Sequence, residues 1–303
     1  MTTDKPVPLV GVDWGTTHRR AYAMDSLGHC VADMADEAGA LRSKGHFSEA
    51  LQVALEALHV QPACVLMAGM VGSTLGWHEV PYLDGNTPLQ DLGRHLHSVP
   101  DAGNGLNAAI IPGYCIRNAQ GQPDVMRGEE TQLLGAWAQG HVSGWFVLPG
   151  THSKWVLLDR GRILQLRTYM TGELFDLLGQ HGTLAAAVGQ ESAAWDEAAF
   201  EEGVRQSGRL ALSHQLFACR ARVVSKDMPA ASSRAYLSGL LIGTELKDVL
   251  QGSGTAAASE FKLIGSPQLA TLYQHAARVL DARFDLLDAR QVFLAALSHL
   301  QAR

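Results

Sequence analysis

A strand–turn–strand–turn–strand pattern occurs twice in the first half of this chain, with closely similar internal spacing. The first copy is Val10-Gly11-Val12-Asp13-Trp14-Gly15-Thr16-Thr17, then Arg20 to Asp25, then Gly28. The second is Trp145-Phe146-Val147-Leu148-Pro149-Gly150-Thr151-His152, then Lys154 to Asp159, then Gly161. A repeated unit of this kind points to an internal structural duplication. Its turn chemistry points to an anion. Glycine lets backbone approach closely, successive N–H groups form an anion-binding nest, and the threonine hydroxyls add donors. Asp13 repels phosphate, but it can hold a hard divalent cation that bridges to phosphate.

Strand-like and helix-like stretches alternate along the rest of the chain, which favours an α/β class. Strands are expected near Leu9–Val12, Cys64–Ala68, Ala108–Ile111, Arg162–Thr168, Phe261–Ile264 and Arg283–Leu287. Helical periodicity runs through Phe47, Ala50, Leu51, Ala54, Leu55 and Leu58. Further helices are expected from Thr87-Pro88, over Gln132–Gln139, from a Thr171 cap to about Gln180, and over Ser232–Gln251. Others follow Gly265-Ser266-Pro267 and begin at about Ala289, with a loop at Gln251–Thr255. The stretch from Glu191 to Arg222 reads as helical with a variable pattern. No long flexible linker separates the halves. Two lobes are therefore expected, residues 1–127 and 128–303, packed around a cleft where ligands are commonly held.

With 303 residues, 47% of them hydrophobic, the chain can build a substantial core. A net charge of −6 argues against a nucleic-acid footprint, which is normally basic. Cys30, Cys64, Cys115 and Cys219 are scattered without a Cys-x-x-Cys pair, arguing against zinc and for a reducing compartment. No apolar leader core and no run of about 18 apolar residues is present. A cytoplasmic protein without membrane partners is expected, and a homo-oligomer is permitted. His95-x-His97 has no third ligand nearby and reads as surface. Asp25 and Asp159 read as turn residues, and Trp14 as packing or a lid.

Two phosphate turns with a later strand–Gly265-Ser266–helix element resemble the actin/hexokinase/Hsp70 ATPase architecture: a ribonuclease H-like duplicated sheet with flanking helices. More specific blocks follow in order: Met67-Ala68-Gly69-Met70-Val71-Gly72-Ser73, Pro81-Tyr82-Leu83, Met126-Arg127-Gly128-Glu129-Glu130-Thr131-Gln132, Pro149 to Trp155, Met170-Thr171-Gly172-Glu173-Leu174 and Ser238 to Gly243. Together they resemble the 2-dehydro-3-deoxygalactonokinase family over nearly the whole chain.

That resemblance implies ATP-dependent, Mg²⁺-assisted phosphorylation of 2-dehydro-3-deoxy-D-galactonate on its 6-hydroxyl. It assigns Gly15, Thr16, Thr17, Gly150, Thr151, His152 and Lys154 to the phosphates and Gly265 and Ser266 to the adenosine. Asp13 would hold the metal. A base is needed at the head of the helix before the second turn, where this chain has Glu129 and Glu130. Glu129 is the expected base, with Glu130 the alternative, because adjacent helical residues point about 100° apart. Either acid would also complement the helix dipole. Gly69, Met70, Gly72 and Ser73, with Thr171 and Glu173, are expected to wall the sugar acid. Arginine's planar fork matches a carboxylate, and Arg127 is the first choice for it, ahead of Arg20 and Arg167. A different sugar acid, a shape-changing ATPase and a sugar-acid sensor are the alternative readings; the last would need a DNA-binding module, for which no room is expected before Leu9.

Overall fold

Residues 7–14 carry apolar side chains on both faces, the signature of a strand covered on both sides, and in the computed structural model they lie in β1 (Lys5–Trp14). The structure describes residues 5–103, 105–185, 195–252 and 261–302. Onward from β1 run β2 (Arg19–Met24), β3 (Cys30–Asp36), α1 (Phe47–Leu58), β4 (Val60–Gly69), β5 (His97–Ser98), β6 (Ala108–Ile110), β7 (Tyr114–Arg117), β8 (Pro123–Met126) and α2 (Glu129–Ala138). Then come β9 (Gly144–Leu148), β10 (Ser153–Asp159), β11 (Arg162–Tyr169), α3 (Thr171–Gln180), α4 (Gly182–Ala185), α5 (Glu197–Gln206), α6 (Leu212–Val224) and α7 (Ser233–Gly252). The chain closes with β12 (Phe261–Gly265), α8 (Pro267–Val279), β13 (Phe284–Asp288) and α9 (Ala289–Gln301).

The duplication expected from the repeated turns is present in the strand orders. One sheet runs β3-β2-β1-β4-β6-β5 and the other β11-β10-β9-β12-β13. In each, a consecutive strand triplet is followed by a strand parallel to its first member: β4 on β1, and β12 on β9. Parallel pairing of this kind requires a crossover connection. Within the first crossover, α1 buries Phe47, Leu51, Ala54, Leu55 and Leu58.

The chain forms two compact units. One comprises Met1–Gly144, Val156–Arg167 and Leu287–Arg303, the other Trp145–Trp155 and Thr168–Leu286. α9 therefore belongs to the first unit, where it packs on α2, β1 and β2. The core of the first unit centres on Val10, Val12, Trp14, Leu51, Val65, Met67 and Ile110. That of the second gathers Leu184, Cys219, Tyr236, Leu237 and Leu240. Trp155 meets Phe261 and Phe284 ring against ring nearby in the same unit.

Several local expectations change. Thr87-Pro88 does not open an α-helix: Pro88 is extended at the cap of a short 3₁₀ helix, Leu89–Arg94. His95 ends that helix and His97 lies in β5. Thr171 is the first residue of α3, with Met170 in the cap position. The Glu191–Arg222 stretch holds two separate helices, α5 and α6, and α5 is capped by Asp196, which accepts from Ala199 N–H. Its first four residues, and the Gln251–Thr255 loop from residue 253 on, lie outside the described residues.

Candidate active site

In the first unit, Asp13-Trp14 and Ala68-Gly69 stand side by side at the carboxyl ends of the parallel strands β1 and β4. Ligands of open α/β sheets are commonly bound at such ends. The turn after Trp14 is fixed from its acceptor side. The carbonyls of Gly15, Thr16 and Thr17 accept from the N–H groups of Ala40, Leu41 and Gly39 respectively. Gly39 makes this possible, because a Cβ there would stand 2.4 Å from Thr16 O. Gly15 N–H donates to His18 O at 2.9 Å, and Thr16 and Thr17 are exposed.

Asp13 keeps 27% of its side chain exposed and pairs with Arg20 at 3.5 Å. Burial raises its pKa, and the Arg20 charge opposes that shift. Trp14 is packing rather than a lid. It is fully buried, donates from Nε1 to Ala38 O at 2.9 Å and meets Phe47 edge-on.

The head of α2 comes to the same place. Gly128 has φ +111, and a Cβ on it would stand 3.2 Å from Gly69 Cα. The two acids that follow differ in surroundings. Glu130 is fully buried, and both its oxygens accept from Gly128 N–H, at 3.0 and 2.8 Å. Burial pushes its carboxyl up to about 8, with the Glu129 charge adding to the effect. Glu129 is only half-buried, and its Oε2 accepts from Arg127 N–H at 3.0 Å.

Around the expected substrate wall, Gly69 opens a short 3₁₀ turn over Met70–Gly72. The Ser73 hydroxyl donates to Met70 O at 2.8 Å. Arg127 lies against this wall: a Cβ on Gly72 would stand 2.9 Å from its Nη1. Its Nη2 donates to Val80 O at 2.6 Å, and its guanidinium covers the Tyr82 ring at 4.2 Å. Nε and Nη1 are buried with no partner among the described residues. The other two arginines lie elsewhere: Arg20 on Asp13, and Arg167 by Gln165 Oε1 at 3.3 Å.

In the second unit the corresponding turn is braced by α3. A Cβ on Gly172 would stand 2.4 Å from Gly150 O, and Glu173 N–H donates to Thr151 O at 2.9 Å. His152 Nε2 and Glu173 Oε2 are 2.5 Å apart. Lys154 is buried rather than solvated, and donates from Nζ to Thr168 Oγ1 at 3.0 Å. Gly265, ending β12, lies beside Pro149, as Gly69, ending β4, lies beside Trp14. Ser266 caps α8, accepting from Leu269 N–H.

Glu245 was not anticipated. It is 1% exposed, and its Oε1 accepts from Ser153 Oγ at 3.1 Å and Trp155 Nε1 at 3.3 Å. Its Oε2 accepts from Thr171 Oγ1 at 2.5 Å. Burial pushes the Glu245 carboxyl up to about 7, against these hydrogen bonds. A single acid inside the apolar run Leu240–Leu246 was the available signal, since acids are almost never fully buried unless paired.

Among the described residues no three His, Cys, Asp or Glu side chains gather into a metal cluster. Asp13 supplies one partly exposed carboxylate beside the turn after Trp14, the kind of ligand magnesium takes together with substrate phosphates and water. Among the described residues no helix is long and apolar enough to cross a membrane.

Residues 13–300 match the model of the 2-keto-3-deoxy-galactonokinase family. The 2-dehydro-3-deoxygalactonokinase of Escherichia coli K12 is 36% identical over 269 residues, 88% of each chain. A crystal structure of a Sinorhizobium meliloti protein provisionally given the same name superposes with a TM-score of 0.87. It is 34% identical, with 96% of this chain and 95% of that one covered. Component A of (R)-2-hydroxyglutaryl-CoA dehydratase from Acidaminococcus fermentans, 11% identical, shares the fold with a TM-score of 0.52 over 98% of both chains. The family match over residues 13–300 and the 36% identity to the E. coli enzyme show that this protein belongs to the 2-keto-3-deoxy-galactonokinase family.

Proposed function

We propose that the protein transfers the γ-phosphoryl group of ATP to the 6-hydroxyl of 2-dehydro-3-deoxy-D-galactonate, in the cytoplasm. The observation that carries this reading is the convergence of Asp13, Gly69 and Gly128-Glu129 at one end of the first sheet. Phosphoryl transfer depends on positioning and charge neutralisation, and the juxtaposition of a glycine–threonine turn, a strand end and an acid supports it. The activity named for the E. coli relative supports the substrate.

In this reading the two glycine–threonine turns each bind phosphate oxygens through backbone N–H groups and threonine hydroxyls. Asp13 would hold Mg²⁺, which when bound would supply charge neutralisation at the phosphates. Gly265 and Ser266 border the adenosine. Glu129 takes the proton of the attacking hydroxyl, a contribution of ~10²–10⁴ in rate. Its partial exposure favours it over Glu130, which is sealed and carries its own proton up to about pH 8.

Arg127 takes the substrate carboxylate. Its Nε and Nη1 are buried donors without a partner among the described residues, a costly state that a bound carboxylate relieves. Tyr82, 42% exposed, covers the outer face of the Arg127 guanidinium.

The test is coupled ADP release with Mg²⁺–ATP, comparing the galactonate-derived acid, its gluconate epimer and common hexoses. Selective turnover of the first, with product phosphorylated at carbon 6, is expected. Turnover of another acceptor alone would replace the substrate. No turnover by folded, nucleotide-binding protein would overturn the kinase reading.

A further inference from the structure

Ser153 ends the second glycine–threonine turn, and Thr171 opens α3. The two residues are distant in sequence, yet one carboxyl group joins them. Glu245 Oε1 accepts from Ser153 Oγ at 3.1 Å, while Oε2 accepts from Thr171 Oγ1 at 2.5 Å. Two more groups complete the cluster. Trp155 Nε1 donates to Oε1 at 3.3 Å, and Tyr273 OH donates to Ser153 Oγ at 3.2 Å. Trp155, Ser153, Tyr273 and Glu245 are all buried. A fully satisfied buried polar network rigidifies the elements it joins.

What those elements are gives the network its meaning. Through Ser153 it grips β10 directly after Gly150-Thr151-His152. Through Thr171 it grips the turn of α3 whose Gly172 and Glu173 brace the same residues. From the kinase reading above, we infer that Glu245 is a positioning residue for nucleotide binding. It locks the turn at residues 150–152 to the start of α3, so that the phosphate-binding backbone is held in one geometry before ATP arrives. No atom of Glu245 needs to touch nucleotide. Its effect is to lower the ordering cost of binding, as preorganised sites do.

A plain core acid would, on removal, lower stability without preferring one substrate. A positioning residue for the phosphate turn moves ATP parameters and spares those of the sugar acid. The experiment is steady-state kinetics on Glu245→Ala, Glu245→Gln and Ser153→Ala. ADP titration calorimetry and thermal melts accompany each variant. For Glu245→Ala, KM for ATP and Kd for ADP should rise about tenfold or more, while KM for the sugar acid stays within about twofold. Glu245→Gln keeps an acceptor of the same shape and should restore ATP binding to within about threefold of the parent protein. Should Glu245→Ala fail to fold, Ser153→Ala carries the test, severing one arm of the network, and is expected to raise ADP Kd.

Folded variants with unchanged ADP Kd would overturn the inference, and so would equal rises in both KM values. Failure of the kinase reading looks different. The parent protein would then release no ADP with any acceptor, whereas failure of this inference leaves the parent fully active.

Discussion

A β-carbon on Gly128 would stand 3.2 Å from the Cα of Gly69, so the head of α2 and the end of β4 meet backbone against backbone. Gly128 also has φ +111, a conformation L side chains rarely adopt. Gly128→Ala therefore adds both strain and contact at the point that aims Glu129. Strain of this type costs about 1–3 kcal/mol. The expected outcome is a lower Tm and a fall in kcat larger than any change in ADP affinity, because the second-unit turn is untouched. A variant with parental kcat would show that the position of α2 is irrelevant to chemistry.

Glu129 and Glu130 are adjacent but differ in environment, and the proposed mechanism gives them different work. Glu129→Gln should lower kcat by ~10²–10⁴ while leaving ADP binding intact. Glu130 is already protonated below about pH 8, so Glu130→Gln is close to isosteric with the native group and should hold kcat within about tenfold. The pair of variants, assayed under saturating ATP and sugar acid, decides between the two acids. The reverse ranking would move the proton transfer to Glu130.

Much of this arrangement is legible in the residues alone, because it rests on local chemistry. The repeated Gly-Thr turns dictate strand-turn-strand geometry wherever they occur, and the strand orders repeat accordingly. Ser266-Pro267 announces the start of α8 by its own cap chemistry. What stays hidden is set by distant partners. Nothing near Thr171 says that its hydroxyl goes to Glu245, 74 residues on, rather than to the helix end. Lys154 reads equally well as solvated or as a phosphate ligand until β11 brings Thr168 to its Nζ. The return of α9 to the first unit is likewise a matter of tertiary packing, on which an amphipathic helix is silent. Arg19 shows the same limit: its guanidinium is buried against Asp36 and the Trp14 ring, while its neighbour Arg20 lies exposed on Asp13.

Asp13 offers a direct test of the metal assignment. Asp13→Asn keeps size and a hydrogen-bonding side chain but removes the charge, leaving Arg20 without its 3.5 Å partner. The Mg²⁺ concentration for half-maximal rate should rise ~tenfold or more, since a bound metal contributes several kcal/mol of charge stabilisation. The apparent affinity for the sugar acid should change little. Unchanged Mg²⁺ dependence would remove Asp13 from the metal site.

Two buried acids, Glu130 and Glu245, make stability fall with pH across the neutral range, and Asp13, which burial also raises, acts with the same sign. Glu130 and Glu245 ionise at about 8 and about 7 in the fold, against 4.5 for the ordinary side chain, in both cases because burial disfavours the charge. The folded protein therefore keeps protons that the unfolded chain releases. Where the native state binds more protons, stability falls as pH rises. The contribution is full below about pH 4.5 and is lost as pH climbs through 7 and 8. Asp36, Asp101 and Asp196, whose partners hold their carboxyls below the usual range, act with the opposite sign but at lower pH. Urea unfolding at pH 5, 6, 7 and 8 should give a steadily falling midpoint. Glu245→Gln should flatten the slope between pH 5 and 7, and Glu130→Gln that between pH 5 and 8. Each acid accounts for on the order of 1 kcal/mol per pH unit at most. A midpoint that rises across this range would mean that both carboxylates are charged in the native state, stabilised by the hydrogen bonds of Gly128 on one side and of Ser153, Trp155 and Thr171 on the other.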